Sequence, residues 1–243
     1  MRGCLFVILF AAAVLGVGAW FLAPTLAAAV IDGALQSSGF AADSKTLTVA
    51  ADPPVRLLVG RADRIDLDAQ GVRWRTLAAT RLGLEVDDVD LFARTARTVH
   101  GRFDGVAVTD GEGTPSTSTA VATITFEGPA GAAITTVDVD GESVRALVTA
   151  AVLRAFGARL TGVQLVPPNG LRLVAPGMSI DGALVVDVGG HGIGLSNRLG
   201  TVPIVTVDPS LPLRIEAVQV DATTLTIRGV LDVQSLLGTS APG

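Results

Sequence analysis

Several residue types are scarce in this 243-residue chain, and each scarcity excludes a class of protein. Cys4 is the single cysteine, so the chain cannot form an internal disulfide. Lys45 is the sole lysine and the formal net charge is −5, which leaves no polycationic stretch for nucleic acid. Tyrosine is absent and aromatic residues are few, so the chain has no platform of rings on which bases could stack. The composition therefore predicts neither a disulfide scaffold nor a nucleic-acid-binding protein.

Groups that carry out metal chemistry or acyl transfer are also rare. His100 and His191 are the only histidines, and neither has a cysteine, a second histidine or a carboxylate at ligand spacing. The glycine-rich run Gly189–Gly194 resembles the oxyanion loop of an esterase, but no G-x-S-x-G sequence is present to supply the nucleophile. We therefore expect this run to be a flexible turn, and we expect no metal and no cofactor.

Paired carboxylates offer the remaining route to catalysis. Asp66 and Asp68 could share acid and base roles in one site. Their period-two spacing, however, places both on the strand face opposite Ile65 and Leu67, which favours a solvated face over an active site. We therefore expect a non-enzyme with no catalytic residue.

An uninterrupted apolar run extends from Gly3 to Ala23. As a helix it would be about 31 Å long, which matches a hydrocarbon core of about 30 Å. Arg2 on its N-terminal flank favours a cytoplasmic N-terminus. We therefore expect residues 1–24 to be a transmembrane helix or signal anchor, which would hold an extracytoplasmic C-terminal domain at the cell membrane by a single pass. The alternative is a signal peptide cleaved near Ala27–Ala29.

The rest of the sequence predicts an α+β protein. Residues 25–40 continue as a membrane-proximal helix, residues 41–238 form a single domain, and residues 239–243 form a disordered tail. Apolar and polar residues alternate in several segments, which indicates strands with one buried face, and short turn signals favour antiparallel pairing. These segments are centred on residues 47–49, 65–69, 82–86, 122–126, 171–173, 184–188, 213–215 and 225–227. The predicted turns include Gln70–Gly71, Pro168–Gly170, Asp181–Gly182 and Asp221–Thr223.

One segment, from Asp140 to Gly157, has a strongly helical pattern. Asp140 is positioned to cap the first turn and Gly157 to end the helix. Leu153 and Phe156 widen its apolar face beyond a narrow stripe. That extra width is either ordinary core or the floor of a lipid groove. The apolar residues that recur at helical spacing on the main face are Val144, Leu147, Val148, Ala151, Val152 and Ala155.

Three stretches carry a family resemblance: PPVRLLVGRADRIDLDAQGVRW (Pro53 to Trp74), DGESVRALVTAAV (Asp140 to Val152) and LPLRIEAVQVDATTLTIRGVLDV (Leu211 to Val233). Through them the sequence resembles the LmeA-like family of bacterial envelope proteins, which bind phospholipid. That family is similar in turn to tubular lipid-binding proteins. The resemblance implies a strongly curved antiparallel sheet wrapped around a long central helix, with an apolar groove between them. It also implies a role in cell-envelope lipid or lipoglycan assembly.

The expected partners are therefore a membrane and a phospholipid or related envelope amphiphile, held by burial of its acyl chains. Three arginines could contact headgroup phosphate, unless they are solvated partners of nearby aspartates; they are Arg56, Arg61 and Arg64. The residues expected to line the groove are Leu147, Val148, Ala151, Val152, Leu153 and Phe156 on the helix, with Ile124 and Phe126 on the sheet. The alternative function is an envelope scaffold that binds a protein partner and has no internal ligand.

Overall fold

The computed structural model describes residues 23–37, 39–74, 77–108, 122–198, 200–207 and 211–238. Within these ranges the fold is mainly antiparallel sheet with short helices. In chain order the elements are α1 (residues 23–37), β1 (Phe40–Ala41), β2 (Ser44–Ala50), a 3-10 helix (Pro54–Val59), β3 (Arg61–Trp74), β4 (Leu77–Asp90), β5 (Thr98–Val108), β6 (Ala122–Pro129), β7 (Ala133–Asp140), α2 (Gly141–Phe156), β8 (Gly162–Val166), β9 (Gly170–Ala175), β10 (Met178–Val186), β11 (Gly192–Asn197), β12 (Gly200–Thr206), β13 (Leu213–Val220), β14 (Thr224–Leu231) and α3 (Val233–Gly238).

The strands form two antiparallel sheets. The larger sheet has nine strands in the order β1-β3-β4-β5-β6-β7-β14-β13, with β2 also pairing to β3. The smaller sheet has five strands in the order β12-β11-β10-β9-β8. Side chains from both sheets and from α2 pack in one main core. The sequence predicted antiparallel pairing, but it did not predict that the strands divide into two sheets.

Alternation of apolar and polar residues gives each strand of the larger sheet one buried face. In β3, Ile65, Leu67 and Ala69 are buried, whereas Asp66 and Asp68 lie on the opposite face. We call the face that carries the buried residues the inner face and the opposite one the outer face. The expectation that the two aspartates lie opposite the apolar residues is confirmed.

Two glycines in the long strands of this sheet depart from extended backbone geometry. Gly71 in β3 and Gly105 in β5 both have φ of 61°, a left-handed conformation that glycine adopts without strain. The β3–β4 register is the same on both sides of Gly71, with Gln70 opposite Arg81 and Val72 opposite Ala79. The predicted turn at Gln70–Gly71 is therefore wrong, because β3 continues through Gly71 as one 14-residue strand.

Helix α2 has the ends that its sequence predicts. The Asp140 side chain accepts hydrogen bonds from the backbone N–H groups of Glu142 and Ser143. At the other end Gly157 has φ of 66°, and its N–H donates to the carbonyl oxygen of Leu153 at 2.9 Å. Both caps satisfy backbone groups that a helix terminus would otherwise leave unpaired.

The predicted α+β fold, with one curved sheet wrapped around a long central helix, is wrong, because the described residues form mostly antiparallel sheet with short helices. Helix α2 has 16 residues and packs against β7 and β14 of the larger sheet and β8 and β12 of the smaller one. It lies between two sheets, so no single curved sheet wraps it. The apolar face of a 16-residue helix is buried equally well by two sheets, and its sequence pattern cannot distinguish the two arrangements.

The predicted transmembrane helix, signal anchor and single-pass attachment to the cell membrane are also corrected. Among the residues for which the structure is described, no helix is both long and apolar enough to cross a bilayer. Ala23, the last residue of the predicted membrane run, is buried with Ala27 against Val49 and Leu57 of the protein itself. Residues 1–22, which make up the rest of the predicted anchor, and the predicted tail 239–243 lie outside the described residues.

Candidate apolar binding site

A continuous row of half-buried apolar side chains crosses the inner face of the larger sheet. Each member lies directly opposite the next in the strand register, so the row spans five neighbouring strands from β5 to β13. All five pack against the main core and yet remain partly exposed. We call this set the apolar row; its members are Phe103, Ile124, Val137, Ile227 and Val218.

The apolar row lies between two buried regions of the inner face. Beside it on the same strands is a second row, which is fully buried in the main core. Its members lie two residues further along four of the strands and three residues further along β5, where the register with β6 shifts. On the other side Phe126 is buried with Val99 and Ala133, and Val233 of α3 packs against them. The partly exposed row is therefore bordered on both sides by buried apolar side chains, which is the arrangement of a groove floor. The buried second row consists of Val106, Ala122, Val139, Leu225 and Val220.

The length of the row matches that of an acyl chain. Neighbouring strands lie about 4.8 Å apart, so four steps between five strands cover about 19 Å. One leaflet of a hydrocarbon core about 30 Å thick is about 15 Å deep, which is the depth that one chain fills. A chain laid across the strands could therefore contact every member of the row.

A small apolar cavity opens beside Phe103 and Ile124. Its volume is about 40 Å³, and Trp74, Leu77 and Val106 are among its other lining residues. A cavity of this size has room for only a few water molecules. The cavity alone is too small for an acyl chain, so a chain would have to lie along the row.

The structure places the predicted groove residues in three different environments. Val148, Ala151 and Val152 are buried in α2, and Phe126 is buried in the sheet with its ring centroid 6.1 Å from that of Phe103. Leu147 and Ile124 are half-buried, and Ile124 belongs to the apolar row. Leu153 and Phe156 point outward and are exposed. Of the eight predicted residues, Ile124 and Phe126 are therefore the two that the structure brings together at the row.

The three predicted headgroup arginines are all close to aspartates of the same chain. Arg56 forms an ion pair with Asp63, and Arg61 lies 3.9 Å from Asp90. Arg64 contacts Asp66 at 2.9 Å, and this hydrogen bond raises the pKa of its guanidinium. Arg64 shares the outer face with Asp66, so it lies across the sheet from the apolar row.

A wider, polar groove of about 620 Å³ lies on the outer face. Asp66, Asp68, Glu85, His100 and Arg102 are among its lining residues. Arg64 and Arg81 form ion pairs with three of these carboxylates, as side chains on a solvated sheet face commonly do. In the part of the chain that the structure describes, no three His, Cys, Asp or Glu side chains are arranged to hold a metal ion.

Four of the five members of the row were not predicted from the sequence. Phe103 lies in β5, whose sequence TVHGRFDGVAV contains two glycines that obscure its alternation. Val137 lies in β7, which was not predicted as a strand. Ile227 and Val218 lie in or beside predicted strands, but only the register brings them opposite Val137 and each other. The alternation in β7 is a signal that could have identified Val137, whereas the glycines of β5 hide Phe103.

Comparison with known proteins finds no match for this chain among family models, curated proteins or solved structures. The resemblance to the LmeA-like family therefore stays a prediction that rests on its three stretches of sequence.

Proposed function

We propose that this protein binds a phospholipid or a related amphiphile by holding an acyl chain along the apolar row. The observation that carries this proposal is the register of five half-buried apolar side chains between two buried regions. Each methylene that leaves water contributes about 0.8 kcal/mol, so a chain in contact with the whole row would bind without a covalent step. The ligand class agrees with the one that the family resemblance implies.

A pair of isoleucine substitutions tests the proposal. Ile124 belongs to the apolar row, whereas Ile134 is 59% exposed and lines the groove on the outer face. We expect the wild-type full chain to carry phospholipid in native mass spectrometry and to bind a phospholipid with a fluorescent acyl chain. Ile124→Ser should weaken this binding, and Ile134→Ser should leave it unchanged.

The alternative function, a scaffold that binds a protein partner, makes the opposite prediction. If the wild-type chain carries no lipid and takes none from vesicles, the proposed site is wrong. Equal loss of binding in both isoleucine variants would also exclude the apolar row, because it would locate the lipid elsewhere. The denaturation midpoint of each variant shows whether a loss of binding reflects unfolding.

A further inference from the structure

A second apolar surface projects from the fold where the 3-10 helix meets the β4–β5 connection. Phe92 lies against Gly60, since a Cβ atom built on Gly60 would be 2.6 Å from the Phe92 ring. The backbone N–H of Leu91 donates to the carbonyl oxygen of Gly60 at 2.7 Å, which joins the two segments. The exposed fractions of the projecting side chains range from 48% to 76%. We call this surface the apolar patch; it consists of Val55, Leu58, Val59 and Phe92.

The patch has a fixed base. Leu57, in the middle of the 3-10 helix, is buried with Ala23 and Ala27 of α1, Ala62 of β3 and Val89 of β4. Four segments therefore meet beneath the exposed side chains, so the patch is held in place by packing. Exposed apolar side chains on a packed base are typical of a surface that binds another apolar surface.

The charges around the patch cancel. Residues 52–64 and 87–97, which contain it, have five arginines and five aspartates in total. Arg56 pairs with Asp63, and Arg97 pairs with Asp88 at 2.9 Å. Such a balanced rim gives no long-range attraction to a polyanion such as nucleic acid. It suits a partner whose own surface carries equal numbers of positive and negative charges.

We propose that the apolar patch docks on the surface of a phospholipid bilayer with zwitterionic head groups. Four side chains that project from a neutral rim can enter the boundary between head groups and acyl chains, and Phe92 suits that depth. The contact is a surface one and needs no membrane-spanning helix.

Thiol labelling of the full chain measures this contact directly. Cys4→Ser removes the natural thiol, and Phe92→Cys, Leu58→Cys or Val188→Cys then introduces one at a chosen site. Val188 is fully exposed in the turn between β10 and β11 and is the matched control. The probe is a water-soluble maleimide, with and without vesicles of phosphatidylcholine. We expect vesicles to slow labelling at positions 92 and 58 several-fold, to leave position 188 unchanged, and to act equally at low and high salt.

The same experiment separates the competing partners. Equal labelling rates with and without vesicles at both patch positions would overturn the proposal. Labelling that slows as the protein concentration rises, without vesicles, would show that a second copy covers the patch. Slowing that requires anionic lipid and disappears in salt would show an electrostatic contact elsewhere and would also overturn it. None of these rates depends on lipid held along the apolar row, so this proposal can fail while the proposed function holds.

Discussion

Gly101 of β5 lies directly opposite Phe126 of β6, and the Phe126 ring occupies the space above the glycine. A Cβ atom built on Gly101 would lie 2.0 Å from the nearest ring atom, far inside contact distance. The buried ring covers the glycine and also contacts Phe103, a member of the apolar row. The absence of a side chain at position 101 is therefore what allows the Phe126 ring to pack over this position.

The first prediction follows from this contact. Gly101→Ala should destabilise the protein by about 1–3 kcal/mol, because the new methyl group forces a buried ring to move. Gly83, in neighbouring β4, has no atom within 4 Å of its would-be Cβ and is the matched control. Gly83→Ala should be neutral or stabilise by up to about 1 kcal/mol. Chemical denaturation measures both, and similar losses in the two variants would contradict the packing described for Phe126.

The second prediction concerns the two sides of α2. Val148 is 1% exposed in the main core, whereas Phe156, two turns later, is 61% exposed. Val148→Asp should cost at least about 3 kcal/mol, because it buries a carboxylate without a partner. Phe156→Asp should change the free energy of unfolding much less. If the two variants lose the same melting temperature, the buried face of α2 is wrongly assigned.

The third prediction is a pH dependence at the start of α2. Burial acts to raise the pKa of Asp140, but hydrogen bonds from the Ser143 hydroxyl and from the N–H groups of Ser143 and Glu142 outweigh it and lower that pKa. A lowered pKa in the folded state means that the stabilisation is complete above the unfolded value of about 3.9 and is lost as the pH falls through the folded value. Asp140→Ala should therefore cost about 0.5–2 kcal/mol at pH 7 and progressively less below about pH 4.

Asp140→Asn is the control for the third prediction. Asparagine caps a helix about as well as aspartate does, so this variant should keep most of the stability at pH 7. Its stability should also be less sensitive to acid than that of the wild type, because it has no carboxyl group to protonate at this position. Unfolding midpoints measured from pH 3 to pH 7 would refute the cap if the alanine variant showed the same deficit at every pH.

The fourth prediction concerns the outer face. Arg64 contacts Asp66 and Glu85 there, at 2.9 and 2.7 Å. Because exposed ion pairs contribute little to stability, Arg64→Ala should leave the denaturation midpoint nearly unchanged. It should also leave phospholipid binding unchanged, since the sheet separates Arg64 from the apolar row. A selective loss of anionic lipid in this variant would restore Arg64 as a headgroup contact.

Much of the local structure could be predicted from the sequence. The caps at Asp140 and Gly157 and the turn after β13 follow from side chains that satisfy neighbouring backbone groups or from a glycine conformation. The predicted turn after β8 is also present, at residues 167–169. The alternation around Ile65 and Leu67 likewise placed Asp66 and Asp68 on the opposite face. These features depend on contacts within a few residues, so the sequence pattern contains nearly all the information that they need.

Two turn-like sequences inside long strands were wrongly predicted as turns. Gln70–Gly71 and Asp181–Gly182 have the composition of turns, yet they lie within β3 and β10. Gly182 lies close to Leu195 of β11, so its small size serves packing against the paired strand. Glycine suits a left-handed position within a strand, a close contact and a turn equally well, and only the partner strand distinguishes the three.

The sequence by itself determined which side chains are apolar, where strands alternate, and how α2 begins and ends, because these properties depend on near neighbours. Only the tertiary structure decided that α2 packs between two sheets and that Ala23 is buried in the protein. It also decided that Phe103, Ile124, Val137, Ile227 and Val218 form one row. That row joins β6 and β7 to β14 across more than 80 residues of chain, including the whole smaller sheet. Strand register over such a separation is set by the packing of the complete core, which no local pattern records.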